Sequence, residues 1–369
     1  MPLFSKADVL PYNSKQRRLQ LKKTIMVLAF LSAASTAAIA QSNLQLYGRL
    51  DVVVDSVRFK GTPNSVSVTD LSTDTSYWGV RGREDLGAGL KAFFKLESGF
   101  SVDTGAQGSA TQFFNREAYV GMGGNFGSVQ LGSQYTPALW ITTKVDPFQR
   151  SANGAIFNLM QQNGGNRQRG YLLLQNNALQ YVSPDVKGFS ARAMLGLSEQ
   201  TAAPRDVGEF RSASIEYSQG AFYGGFSIED LKIASTPAGA AWSNKTVTLG
   251  ATYDLRTVKL YGYLLKNTLT NSRDAEGYML GLTYPVGAGT VRASYSAREV
   301  DGIAGSKASV MALGYTYDLS KRTTLYTSYA LLDNGAASNM GLWPSSKTHG
   351  LPATGQDVRS IEAGIRHFF

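Results

Sequence analysis

The chain has 369 residues, no cysteine, 39 glycines and 17% charged residues. Its formal charge of +9 is concentrated at the front: residues 1–40 carry six Lys/Arg and only Asp8 as an acid, leaving thirty basic against twenty-six acidic residues beyond them. That near-balance removes the main support for nucleic-acid binding, and with no cysteine and two histidines the usual metal-ligand spacings cannot be built.

The N-terminus reads as a secretory signal. Lys15, Arg17, Arg18, Lys22 and Lys23 precede the apolar run Ile25 to Ala34, and Ala38-Ile39-Ala40 is an A-x-A cleavage site, so residues 1–40 are expected to be removed and 41–369 to form the mature domain. No later apolar run approaches the ~18 residues of a membrane helix. The first strand predicted is Leu44 to Val54. It places Leu44, Leu46, Gly48, Leu50, Val52 and Val54 on one face and Gln45, Tyr47, Arg49, Asp51 and Asp55 on the other. Charges on the inner face imply water inside.

Short turns follow at Asp85–Gly89, Met122–Gly127, Ser183–Gly188, Ser218–Ala221, Asp254–Thr257, Pro285–Gly289 and Asp318–Arg322. Seven hairpins with a first strand and a last one, Arg359 to Phe369, make sixteen strands, an even number that leaves an aqueous channel. The opposite connections are longer and rich in Gly, Ser, Asn and Thr, at 56–75, 100–113, 136–173, 198–210, 230–244, 267–275, 298–308 and 333–358. The third is the longest, and its Trp140, Phe148 and Phe157 would be costly on a solvated tip. Folding inward against the barrel wall would shelter them.

Tyr181, Tyr217, Tyr253, Tyr284 and Tyr317 recur at intervals of 36, 36, 31 and 33 residues, each just before a turn, where a ring can sit in the apolar layer with its hydroxyl wet. The hairpin Met311 to Asn334 contains one full unit of this pattern. Propellers and solenoids repeat at similar periods but bury an apolar face; here the second face is Gly, Ser, Thr, Arg and Glu. The fold class predicted is therefore all-β, a 16-stranded antiparallel transmembrane barrel with short periplasmic turns and long extracellular loops. At its end Ile361, Ala363, Ile365, His367 and Phe369 share one face, a terminal-strand pattern suited to recognition by the barrel-assembly machinery.

Several segments together resemble the general bacterial porins of β-proteobacterial type: YWGVRGREDLGAGLKAFFKLESGF from Tyr77, FNREAYVGM from Phe114, SVQLGSQY from Ser128, NNALQYVSP from Asn176, YDLSKRTTLYTSYALLDN from Tyr317 and AGIRHFF from Ala363. The resemblance implies a homotrimer in the outer membrane, in contact with its lipid and lipopolysaccharide. It also implies a third loop bent into the lumen, with basic side chains on the facing wall and acids and carbonyls on the loop. Arg81 and Arg116 match family arginines that line the lumen, and Arg169 matches a third. Tyr77, Ser133 and Gln180 depart from the pattern, standing where basic residues are common, which would weaken ion preference.

Alternation along the strands gives lumen candidates independently, since an arginine facing lipid at the midplane costs ~2–4 kcal/mol. Arg192 and Arg292 fall on the polar face in this way. Arg49, Arg81, Arg83, Lys95 and Arg116 are expected to make one wall positive, with Asp146 and loop carbonyls opposite and a transverse field between them. Local neutralisation of Arg49 by Asp51, or of Lys95 by Glu97, is the alternative.

An enzyme is disfavoured. His349 lies in a long loop and His367 in the terminal strand, neither spaced for a catalytic partner. The glycine runs sit in turns rather than between a strand and a helix. No cofactor and no nucleic-acid partner is expected. The function predicted is passive diffusion of small hydrophilic solutes and ions with a weak preference for anions; a substrate-specific porin with a solute-binding constriction is the alternative.

Overall fold

The computed structural model of the protein describes residues 43–61, 65–161, 170–235, 239–343 and 349–369. The expected signal segment 1–40 lies outside these residues, as does Arg169. Among the described residues seventeen strands form one antiparallel sheet. They are β1 (Asn43–Lys60), β2 (Val66–Thr73), β3 (Tyr77–Gly87), β4 (Leu90–Gly99), β5 (Glu117–Gly124), β6 (Gly127–Tyr135), β7 (Leu174–Val182), β8 (Phe189–Gly196) and β9 (Phe210–Gln219). There follow β10 (Phe222–Ala234), β11 (Ala241–Asp254), β12 (Lys259–Leu269), β13 (Ala275–Val286), β14 (Gly289–Val300), β15 (Ala308–Asp318), β16 (Thr323–Asn334) and β17 (Asp357–Phe368).

Apart from β2 and β3, each strand pairs with its sequence neighbour, and β1 closes the sheet on β17 from Arg49↔Phe368 to Lys60↔Asp357. The strands β2 and β3 are two halves of one stave, since β1 pairs with β3 through Asn43–Arg49 and with β2 through Val52–Phe59. Counted by staves, the molecule is the closed sixteen-strand barrel expected. Closure satisfies every backbone edge, which the hydrocarbon layer requires.

The two faces separate as the alternation predicts. On β1, Leu44, Leu46, Leu50 and Val54 are exposed to the outside, whereas Asp51 and Asp55 are fully buried from it. Tyr181, Tyr253, Tyr284 and Tyr317 are exposed just before their turns. All seven turns fall where the sequence puts them, Gly220-Ala221 and Gly287-Ala288 being two-residue links with the glycine at positive φ. The outer ends differ from expectation. β1 continues to Lys60, and β10 and β11 continue to Ala234 and from Ala241, because the hydrogen-bond ladder persists after the apolar alternation has ended.

The core of this molecule is inside the barrel. It consists of the long connection between β6 and β7, which contains α1 (Pro137–Val145) and α2 (Phe157–Met160), packed on inward side chains of β10 to β17.

Candidate pore constriction

The loop enters the lumen through a helix built to start there. Thr136 caps α1 by accepting from Leu139 N at 3.3 Å, Pro137 follows at the first helical position, and Thr136 Oγ1 donates to Leu172 O at 2.5 Å, tying the two necks of the loop. The helix lies on bare backbone. A Cβ added to Gly225 or Gly250 would approach Ile141 or Val145 within 3.0 Å, and one on Gly281 would meet Pro147 at 2.7 Å. These inward glycines are the seat of the loop.

Asp146 ends the helix and shapes the apex. Its carboxylate accepts from Phe148 N at 2.9 Å and from Arg150 N and Ile156 N at 3.1 Å each. Within that cradle Gln149, Arg150 and Ala152 all adopt positive φ (56°, 57° and 68°), a strain held by the surrounding contacts. Asp146 is only 2% exposed, and burial pushes its carboxyl up to about 6 in spite of the three donors. Asp146, expected with the loop carbonyls to stand opposite the basic wall, directs its carboxylate to these three backbone donors. Its oxygens are turned into the loop.

From the apex the loop bonds across the lumen. Arg292 donates to Pro147 O, Ser294 Oγ to Gly154 O at 3.0 Å and Arg298 to Leu159 O at 2.8 Å, all from β14. On the far side Ala152 N donates to Asp74 at 3.2 Å, and Asn153 reaches Ser360 and Glu362 of β17. Lys144 and Arg192 meet Glu216 of β9 at 2.6 and 3.5 Å, with Arg192 5.0 Å from the Trp140 ring.

The wall of β1, β3, β4 and β5 gathers most of the predicted basic residues. Arg116 donates to Glu97 at 2.6 Å, Lys95 lies 3.2 Å from Glu97 and is also bonded to Glu117, and Tyr47 donates to Glu97 at 2.9 Å. Arg116 sits 4.4 Å from the Tyr77 ring and Arg49 5.6 Å from the same ring. Arg49 donates to Thr75 O at 2.8 Å and lies 3.7 Å from Asp51. Arg81 is exposed, stacks 4.9 Å from the Tyr47 ring and donates twice to Gln45. Arg83 is exposed two residues before the Asp85–Gly89 turn.

The pairing is layered. Glu97 and Glu117 are 3–4% exposed, while the Lys95 and Arg116 side chains paired with them are 20% and 26% exposed, so the acids lie deeper than the bases. No carboxylate among the described residues stands within ion-pair distance of Arg81 or Arg83. The two pairs named for local neutralisation, Arg49 with Asp51 and Lys95 with Glu97, are both formed. Lys144, Arg150, Arg298 and Arg366 were not foreseen. Arg366 was legible, since it alternates with Ile365 and His367; the others make contacts between loop and wall or within the loop that no strand period marks.

A closed barrel with a water-facing inner surface, narrowed by an inward loop facing a basic wall, is a channel of the outer membrane. The pattern of the Gram-negative porin family matches residues 27–337. Outer membrane porin protein 32 of Delftia acidovorans is 34% identical over 95% of this chain and all of the relative. The major outer membrane protein P.IB of Neisseria meningitidis is 26% identical over 86% of this chain and 96% of its own. Among solved structures, the anion-selective porin from Comamonas acidovorans superposes with a TM-score of 0.77 at 31% identity, over 89% of this chain and 100% of that one. The chain belongs to the Gram-negative porin family and is an outer-membrane porin.

Proposed function

We propose that this porin passes small hydrophilic solutes and ions by passive diffusion with a weak preference for anions. The observation that carries the reading is the layering of the basic wall. Lys95 and Arg116 face the lumen with Glu97 and Glu117 sealed behind them, while Arg81 and Arg83 add positive charge with no acid in pairing range among the described residues. In a water-filled constriction such an array selects by its field rather than by a binding site. The anion-selective porin named above lends further support. Arg169, outside the described residues, remains a proposed contributor to the same wall.

We further propose that the chain is exported behind a cleaved segment 1–40, is recognised for insertion through the strand ending at Phe369, and works as a homotrimer bedded in lipid and lipopolysaccharide. Reconstitution in a planar bilayer tests the channel and the trimer together. Conductance steps in groups of three are expected; folded protein that conducts nothing would contradict the reading.

A further inference from the structure

Three carboxylates stand in one row across neighbouring strands. Asp70 of β2 faces Asp55 of β1, and Asp55 faces Glu362 of β17. Asp55 and Glu362 are 0% and 1% exposed. Asp51 and Asp74 lie four residues along the chain from Asp55 and Asp70, two repeats of the pleat away. The charged groups facing these five acids are Arg366, 2.7 Å from Asp51 and 3.8 Å from Asp74; Arg49, 3.7 Å from Asp51; and His349, 2.9 Å from Asp70. Among the described residues no base lies within ion-pair distance of Asp55 or Glu362. Two like charges side by side and sealed from water cost free energy unless something is placed between them.

The hydrogen bonds indicate what that is. One oxygen of each acid is used: Asp55 Oδ1 accepts from Ser360 Oγ, and Glu362 Oε1 accepts from Asn153 N at 3.1 Å and Ser328 Oγ at 2.7 Å. Asp55 Oδ2 and Glu362 Oε2 are buried with no donor. Asn153, at the tip of the inward loop and 0% exposed, donates its amide Nδ2 to Ser360 Oγ at 2.7 Å. Because Ser360 spends its own proton on Asp55, the Asn153 amide has to present its NH2 there. Its Oδ1 is left as a third buried oxygen without a donor. A proton shared by the two acids would partner them and leave Asn153 Oδ1 unsatisfied. A cation takes all three.

We infer that Asp55, Glu362 and Asn153 hold a hard divalent cation of the calcium class between the loop tip and the barrel wall. Oxygen donors of mixed carboxylate and amide type suit such an ion. No three acidic or histidine side chains converge on one point among the described residues, so two carboxylates and an amide form the protein's share. The ion lies behind the loop rather than in the path of solutes. It neutralises the acidic wall and fastens the loop to β1 and β17.

The test uses full-length protein refolded in detergent without lipopolysaccharide and stripped with a chelator, with terbium as the probe. The Trp343 indole donates to Asp74 O at 3.0 Å and serves as the antenna. Saturable terbium luminescence displaced by calcium is expected, together with a calcium-dependent rise in melting temperature. Both are expected to vanish in the Asp55→Asn/Glu362→Gln pair and, with the wall carboxylates retained, to weaken in Asn153→Ala. A heat-shifted gel mobility establishes that each variant is folded. Stripped wild type that binds no terbium, folded variants that bind it as wild type does, or stability that follows pH and ignores calcium would each overturn the inference.

Discussion

The Arg116 guanidinium, 2.6 Å from Glu97 and 4.4 Å from the Tyr77 ring, is the lid of a two-acid, two-base cluster. The layering makes the two ends of this pair unequal. Arg116→Gln would leave Glu97 and Glu117 with Lys95 alone, and the reversal potential in a salt gradient is expected to move toward cations. Glu97→Gln would leave surplus positive charge at the same place and move it toward anions. Each variant removes one member of a cluster in which Lys95 keeps a carboxylate partner, so both are expected to melt earlier than wild type, by less than the ~3–5 kcal/mol of a buried charge left with no partner. Equal shifts of the same sign would contradict the layered arrangement.

The wall glycines predict a change of pore size without a change of fold. Gly250→Leu would drive a side chain into Ile141 and Val145, which already lie about a van der Waals contact from the backbone. The expected result is displacement of α1 and a larger single-channel conductance, with the heat-resistant barrel retained because the strand ladder is untouched. Gly262, which has nothing within 4 Å of its Cβ position, is the control: Gly262→Ala is expected to leave conductance unchanged.

Asp146 gives the loop apex a pH dependence of defined sign. Burial pushes its carboxyl up to about 6, above the ordinary aspartate value of 3.8. A group raised on folding stabilises the folded form fully below its unfolded value and loses that contribution as pH rises through its folded value. Hydrogen exchange at the Phe148 and Ile156 amides, corrected for intrinsic rate, is therefore expected to be slower at pH 5 than at pH 7.5. Asp146→Asn is expected to abolish the difference. Asp146→Ala removes all three acceptors and leaves buried donors at ~1–3 kcal/mol apiece, so it is expected to loosen the apex at every pH.

Barrel closure depends on a glycine under an aromatic. Phe369 N and O bond to Gly48 O and N at 3.1 and 3.2 Å, and a Cβ on Gly48 would overlap the Phe369 ring. Gly48→Val is expected to displace that ring and lower the temperature at which the folded band unfolds on a gel, while Leu50→Val, on the outer face of the same strand, is expected to matter far less.

Much of this was readable from residue order because a barrel wall is a period of two with turns. Leu44 against Asp51, the tyrosines before five of the seven turns, and the glycine-bearing links such as Gly287-Ala288 follow from pleat geometry and need no tertiary knowledge. What was not readable lies where the loop meets the wall. Gly225, Gly250 and Gly281 look like small residues on a wet face until a helix is seen resting on them. Asp146 looks like a lumen acid because its spacing cannot reveal that its oxygens fold back on Phe148, Arg150 and Ile156. Arg298 bonds to the Leu159 carbonyl, 139 residues away, and no local pattern encodes such a contact.

The central claim is that lumen-facing cations set a weak anion preference. Its most direct test is the reversal potential of the wild-type channel and of the Arg81→Gln/Arg83→Gln pair across a potassium chloride gradient. An anion-directed potential in wild type that moves toward zero in the pair, with conductance retained, is the predicted result. A wild-type potential that is zero or cation-directed would contradict it.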